Sequence, residues 1–132
     1  MRMSSQDERK LIARRKNLER AFEDMSGKPV IVEGKNDREA LRRCKVKERI
    51  LIIKGRPEEI ARSLAGEDEA IVLTDFDERG EELAKILCEC LRSYGVAPNI
   101  GCRRRLRYAL GISVFQEIDR KLEEFEKESE RI

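Results

Sequence analysis

The sequence predicts an α/β domain: an open parallel sheet of about four strands with helices on both faces, plus a helix at each end of the chain. Two observations carry this. The apolar residues gather into short unbroken runs, Val30-Ile31-Val32, Ile50-Leu51-Ile52-Ile53 and Ala70-Ile71-Val72-Leu73. Amphipathic helical segments alternate with them, and strands that read as continuous apolar runs belong to parallel sheets buried on both faces. At 132 residues the chain suits one domain with a real core.

The elements follow in order. From about Ser5 to Asp24, Leu11, Ile12, Leu18, Ala21 and Phe22 recur at helical spacing, and Ser26-Gly27 supplies a stop. This stripe can cover the sheet or pair with a second protomer. The run at 30–32 is a buried strand that delivers Glu33-Gly34 to its end. Asn36 or Asp37 can cap the helix carrying Ala40 and Leu41. The second run stops at Lys54-Gly55, and Pro57 suits the first turn of a helix bearing Ile60, Ala61 and Leu64. The third run ends in Thr74-Asp75-Phe76-Asp77 and is followed by a helix from about Glu78 to Tyr94, with a weaker fourth strand over Ala97 to Ile100. Arg103, Arg104, Arg105 and Arg107 then form a basic rim with no acid between Gly101 and Gly111. The Glu-rich stretch from Glu117 onward reads as a tail helix, with Ile118, Leu122 and Phe125 on one side. The domain division is 1–27 for the N-terminal helix, 28–108 for the sheet domain and 109–132 for the helical tail.

Charge and cysteine usage bound the function classes. Charged residues make up 42% of the chain, but 29 bases nearly cancel 27 acids, so placement of charge matters more than its sum. Interleaved Lys, Arg and Glu at this density fit a surface of ion-pair networks and a thermophile source. Four cysteines without Cys-x-x-Cys spacing, and no histidine, argue against a zinc site and for reduced thiols in packing roles. No segment reads as a signal peptide, and none approaches the roughly 18 apolar residues needed to cross a bilayer. The expectation is a cytoplasmic protein with no membrane partner.

Ligands of open parallel sheets bind beyond the carboxyl ends of the strands, and both acidic motifs fall there. Asp75 and Asp77 point to one side if strand geometry persists through them, and Glu33 meets them if its strand is their neighbour. Three hard carboxylates suit magnesium or manganese, and hence phosphate chemistry. An isolated Asp-x-Asp is commonly a turn or a helix cap. An EF-hand starting at Asp75 would put Ile86 where a bidentate acid is required, so that reading fails. An aspartyl phosphatase suits the mid-chain position and the following Glu78-Arg79 poorly.

The residues Val30 to Asp37, with Glu33-Gly34, followed some forty positions later by Leu73-Thr74-Asp75-Phe76-Asp77-Glu78-Arg79-Gly80, resemble the Toprim domain. That domain is shared by type IA and type II topoisomerases, bacterial primases, overcoming-lysogenization-defect nucleases and recombination-repair proteins. The resemblance covers about Lys28 to Tyr108, and the paired motif is far more specific than either half. It implies that Glu33 is a general acid or base and that Asp75 and Asp77 coordinate magnesium, with Glu33 contributing to the metal site. Topoisomerases need a nucleophilic tyrosine on a further domain, primases a polymerase subdomain and zinc module, and the recombination proteins a four-cysteine zinc site. The chain looks most like the small stand-alone Toprim proteins of archaea and some bacteria, related to the ribonuclease that trims precursor 5S ribosomal RNA.

The resemblance therefore implies a magnesium-dependent nuclease acting on structured RNA. The alternatives are a DNA nicking or cleaving enzyme and a nucleic-acid-binding accessory protein without turnover. Lys35, Arg103, Arg104, Arg105 and Arg107 are the candidate phosphate contacts, which would make binding salt-dependent. Tyr108 is the one aromatic near them, so recognition by shape or backbone is expected rather than base readout in single strands. A homodimer is compatible with the apolar stripes of the terminal helices.

Overall fold

A computed structural model describes residues 3–130. Helix α1 (Ser5–Met25) leads into β1 (Val30–Val32), α2 (Lys35–Arg43), β2 (Ile50–Ile52), α3 (Pro57–Ser63), β3 (Glu69–Leu73), α4 (Glu78–Ser93), β4 (Ala97–Asn99), α5 (Gly101–Leu110), a 3-10 turn at Phe115–Glu117 and α6 (Ile118–Ser129). The four strands form one parallel sheet in the order β2-β1-β3-β4, with Val30 opposite Ile50, Val32 opposite Leu73 and Glu69 opposite Ala97. Helices flank it on both faces, so the expected α/β class with an open parallel sheet holds.

Strand alternation sorts the apolar runs into two cores. Val30, Val32, Ile71 and Leu73 face one layer, packed with Leu11, Leu18, Ala21 and Met25 of α1, Leu41 of α2, Leu106 of α5 and Phe125 of α6. Ile31, Ala70 and Val72 face the other, against Ile60 and Leu64 of the α3 region and Leu87 and Leu91 of α4. The stripe of α1 thus covers the sheet layer, while Ile12 remains 45% exposed. The tail helix packs back as well: Arg14 and Arg15 lie over the Phe125 ring and pair with Glu128 and Glu126.

Three local expectations change. Gly34, not Asn36 or Asp37, is the N-cap of α2, and Asp37 sits one turn in with its carboxylate accepting the Gly34 N–H at 3.0 Å. Strand β4 is shorter than expected and lies at the sheet edge, where Pro98 costs least because one flank needs no ladder hydrogen bond. The basic rim is itself a helix, α5, whose buried Cys102, Leu106, Ala109 and Leu110 follow the i, i+4, i+7, i+8 pattern, so a boundary at 108 falls within it. All four cysteines are free thiols; Cys88 and Cys102 are buried, and burial pushes the Cys102 thiol up to about 12. No described helix is long and apolar enough to cross a membrane.

Candidate acidic site at the carboxyl edge of the sheet

Because β1 and β3 are neighbours and end in register at Val32 and Leu73, Glu33 and Asp75 emerge side by side. A Glu33 carboxylate oxygen accepts the Asp75 main-chain N–H at 2.7 Å. The Asp75 carboxylate accepts the Phe115 N–H at 2.9 Å, and the Phe76 N–H donates to the Ser113 carbonyl at 3.0 Å, which stitches the segment after α5 onto the loop after β3. Asp77 is the N-cap of α4, accepting the Gly80 N–H at 2.7 Å. The fully buried Thr74 closes the loop by donating its hydroxyl to the Gly80 carbonyl at 2.7 Å.

The strand geometry that would aim Asp75 and Asp77 to one side stops at Leu73, and Asp77 turns toward the first turn of its helix. Among the described residues, no three Asp, Glu, Cys or His side chains come close enough to hold one metal ion between them. Glu33, Asp75 and Asp77 each accept one main-chain N–H, and the second oxygen of each takes no hydrogen bond from the described residues.

The structure adds a fourth acid that sequence reasoning treated only as a cap. Asp37 is 7% exposed. Burial, then the charge of Asp75 and that of Glu33, push its carboxyl up to about 6 against the opposing Gly34 N–H. Burial likewise raises Asp75, countered by the Phe115 N–H, raised again by Asp77 and lowered by Arg103. The four carboxyls therefore form one electrostatic unit, linked through Asp37 and Asp75. The available signal was spacing: Asp37 follows Glu33 by four residues, across the N-terminus of α2.

The energetic consequence can be measured. The folded pKa of Asp37, about 6, lies above its ordinary value of 3.8, so the stabilising contribution is complete below the lower value and is lost as pH rises through the higher one. Asp37→Asn removes the charge while keeping an acceptor for Gly34. In metal-free protein it should raise stability by about 1–2 kcal/mol near pH 8 and by little near pH 4. Urea unfolding at the two pH values checks this; equal effects at both would show that the Asp37 charge carries no cost.

The candidate phosphate contacts separate. Lys35 is exposed at the start of α2, with Nζ 3.9 Å from Glu39 and, among the described residues, no ion pair to Glu33, Asp37, Asp75 or Asp77. Arg103 is 5% exposed. It donates to the carbonyls of Thr74 at 2.6 Å and Asp75 at 2.5 Å, pairs with Glu81 at 2.6 Å, and lies 4.2 Å from the Phe76 ring centre. It ties the acidic loop to α5, and its donors are engaged by the two carbonyls and Glu81 rather than free for a phosphate. Arg105 turns toward α1, donating to Asn17 at 3.1 Å and lying 3.9 Å from Asp24. Only Arg104 and Arg107 of the cluster are exposed. A depression of about 750 Å³ opens at Asp77, bordered by Asp77, Glu78, Arg79, Glu82 and Leu83.

The chain matches no known family's sequence profile. It is 39% identical over 84 residues to a UPF0292 protein of Methanocaldococcus jannaschii, covering 60% of this chain and 64% of that protein. It is 38% identical over 79 residues to a UPF0292 protein of Pyrococcus horikoshii, covering 59% and 60% respectively. A third UPF0292 protein, from Archaeoglobus fulgidus, is 33% identical over 81 residues, covering 61% and 64%. The match thus spans under two thirds of the length of these relatives. Among solved structures, a protein of Aquifex aeolicus superposes with a TM-score of 0.66 at 25% identity, covering 77% of this chain and 94% of that one.

Proposed function

We propose that the protein is a Toprim-type, metal-dependent phosphodiesterase that hydrolyses structured RNA, with Glu33 as general acid or base and Asp75 and Asp77 as the principal metal ligands. One observation carries the reading: the β1–β3 adjacency that sets Glu33 against Asp75, at the edge where a parallel sheet binds its ligands. The donor chemistry fits magnesium, or manganese, which needs only one or two protein carboxylates when waters and substrate phosphates complete its shell. Burial and neighbouring carboxylates raise the Asp37 and Asp75 carboxyls, so the cluster holds negative charge for a cation to offset.

A bound divalent cation would supply Lewis-acid stabilisation of the charge that develops on the reacting phosphate. The protein's own groups do the rest. The Asp75 N–H fixes one Glu33 oxygen, leaving the other to take a proton from the attacking water or return it to the leaving oxygen. Water attack at phosphorus forms one P–O bond as the strand's P–O bond breaks, and that proton ends on the departing hydroxyl. Arg104 and Arg107 give the strand's backbone a cationic border at Phe76, next in sequence to Asp75 and Asp77.

The test is cleavage of labelled structured RNA and duplex DNA with magnesium, manganese or chelator, comparing wild type with Glu33→Gln, Asp75→Asn and Asp77→Asn. Metal-dependent RNA cleavage should disappear in all three. Asn caps a helix about as well as Asp, so Asp77→Asn should unfold at the wild-type denaturant midpoint and separate the ligand role from the capping role. Cleavage of DNA alone would replace RNA as the substrate. Absence of any cleavage, with salt-sensitive binding intact in folded variants, would overturn the enzymatic reading in favour of an accessory protein.

A further inference from the structure

Beside the acidic loop, at Phe76, lies a second hollow of about 480 Å³ bordered by Phe76, Glu81, Arg103, Arg104, Arg107 and Tyr108. Its composition is unusual for this chain, which has 5% aromatic residues. Phe76 stands between Asp75 and Asp77 in sequence, and its ring carries the buried Arg103 at 4.2 Å and the exposed Arg107 at 4.8 Å. The ring therefore holds Arg107 against the residue that separates Asp75 from Asp77. Arg104 and Tyr108 are four residues apart on α5 and share its outward face. Tyr108 is 53% exposed, the largest exposure among the large hydrophobic side chains that stay in solvent. Among the described residues, neither Arg104 nor Arg107 has a carboxylate within ion-pair distance, although the neighbouring Arg103 pairs with Glu81. Two unpaired guanidiniums flanking an exposed ring place phosphate neutralisation and base stacking at one spot.

We infer that this hollow is a strand-binding subsite which takes an unpaired nucleotide next to the cleaved bond, its base stacked on Tyr108 and its phosphates held by Arg104 and Arg107. The inference rests on the proposed nuclease reading and narrows its substrate: structured RNA is engaged where a single strand leaves the duplex, since a paired base cannot offer its face to Tyr108. This departs from the expectation of backbone recognition alone, because the sequence showed one aromatic near the arginines and the structure supplies an exposed face and the Phe76 support.

The experiment is binding in chelator, without turnover, of an oligoadenylate of about eight nucleotides and of a blunt RNA duplex, read by anisotropy and by tyrosine emission in a Tyr94→Phe background where Tyr108 is the single emitter. The single strand should quench Tyr108 emission, and Tyr108→Ala should weaken single-strand binding about tenfold, the size of one stacked base, with duplex binding unchanged. Tyr108→Phe should bind as wild type. The Arg104→Ala, Arg107→Ala double variant should lower the salt slope by about two for both probes. Equal single-strand affinity of wild type and Tyr108→Ala, with no quenching, would overturn the subsite even if metal-dependent cleavage is found. Tyr108-dependent binding in a protein that cleaves nothing would instead sustain the subsite and remove the nuclease.

Discussion

Gly80→Ala is expected to cost more stability than alanine at any other glycine of the chain. A Cβ at position 80 would lie 1.9 Å from the Asp75 carbonyl oxygen and 2.5 Å from its carbon, so the obstacle is backbone that cannot swing aside as a side chain can. The close approach exists because Asp77 caps α4 through the Gly80 N–H while Thr74 bonds the Gly80 carbonyl, folding the loop flat over the first helical turn. Overpacking of this kind costs about 3 kcal/mol or more, and the loop that must yield is the one carrying Asp75 and Asp77. Loss of the proposed cleavage should accompany the drop in denaturant midpoint. Gly27→Ala provides the contrast: its φ of +75° disfavours a side chain, yet nothing lies within 4 Å, so about 1 kcal/mol of conformational cost is expected there. If the two variants prove equally stable, close packing is not the reason for a glycine at position 80.

Arg103→Met is expected to have the next largest effect. The substitution keeps an unbranched apolar stem under Phe76 but removes the donors to the Thr74 and Asp75 carbonyls and the partner of Glu81. Thr74 is fully buried, so its carbonyl would be left without a donor in a place water does not reach. The expected loss is about 2–4 kcal/mol, most of it the penalty for stranded acceptors rather than the ion pair, since Glu81 is half exposed. Arg103→Lys should recover little, because one ammonium cannot span two carbonyls and a carboxylate as a planar fork does. Arg104→Ala, one position along, should leave stability within about 0.5 kcal/mol and lower the salt slope for nucleic acid by about one. Thermal melts and salt titrations on the same variants check both statements. An Arg103 variant that melts like wild type would return that residue to the solvent-facing rim.

The elements written as unbroken apolar runs were legible because burial on both sheet faces demands them, and Pro57 and Ser26-Gly27 marked helix ends by backbone chemistry that acts within a few residues. Helix α5 was harder to see. Cys102, Leu106, Ala109 and Leu110 carry its stripe, but four arginines in the same stretch read as a surface cluster. Glu33, Asp75 and Asp77 stood out because acids at the ends of apolar runs have no role in a core. Asp37 did not, since an acid in a helix's first turn serves as ordinary capping chemistry wherever it is not buried.

Composition and local pattern thus determined the class of fold, the positions of the strands and the sheet edge at which Glu33, Asp75 and Asp77 gather, because each depends on solvent exposure and on backbone preferences set by neighbours in sequence. The tertiary structure decided which strands are adjacent, and so that Glu33 meets Asp75. It decided that Asp77 turns to its helix, that Asp37 joins the acids, and that Arg103 is buried against their loop while Arg104 and Arg107 remain outside. Those outcomes hang on contacts between residues up to some forty positions apart, where the free energy comes from burial and from satisfying each enclosed polar group, and no local pattern encodes which partner will be there.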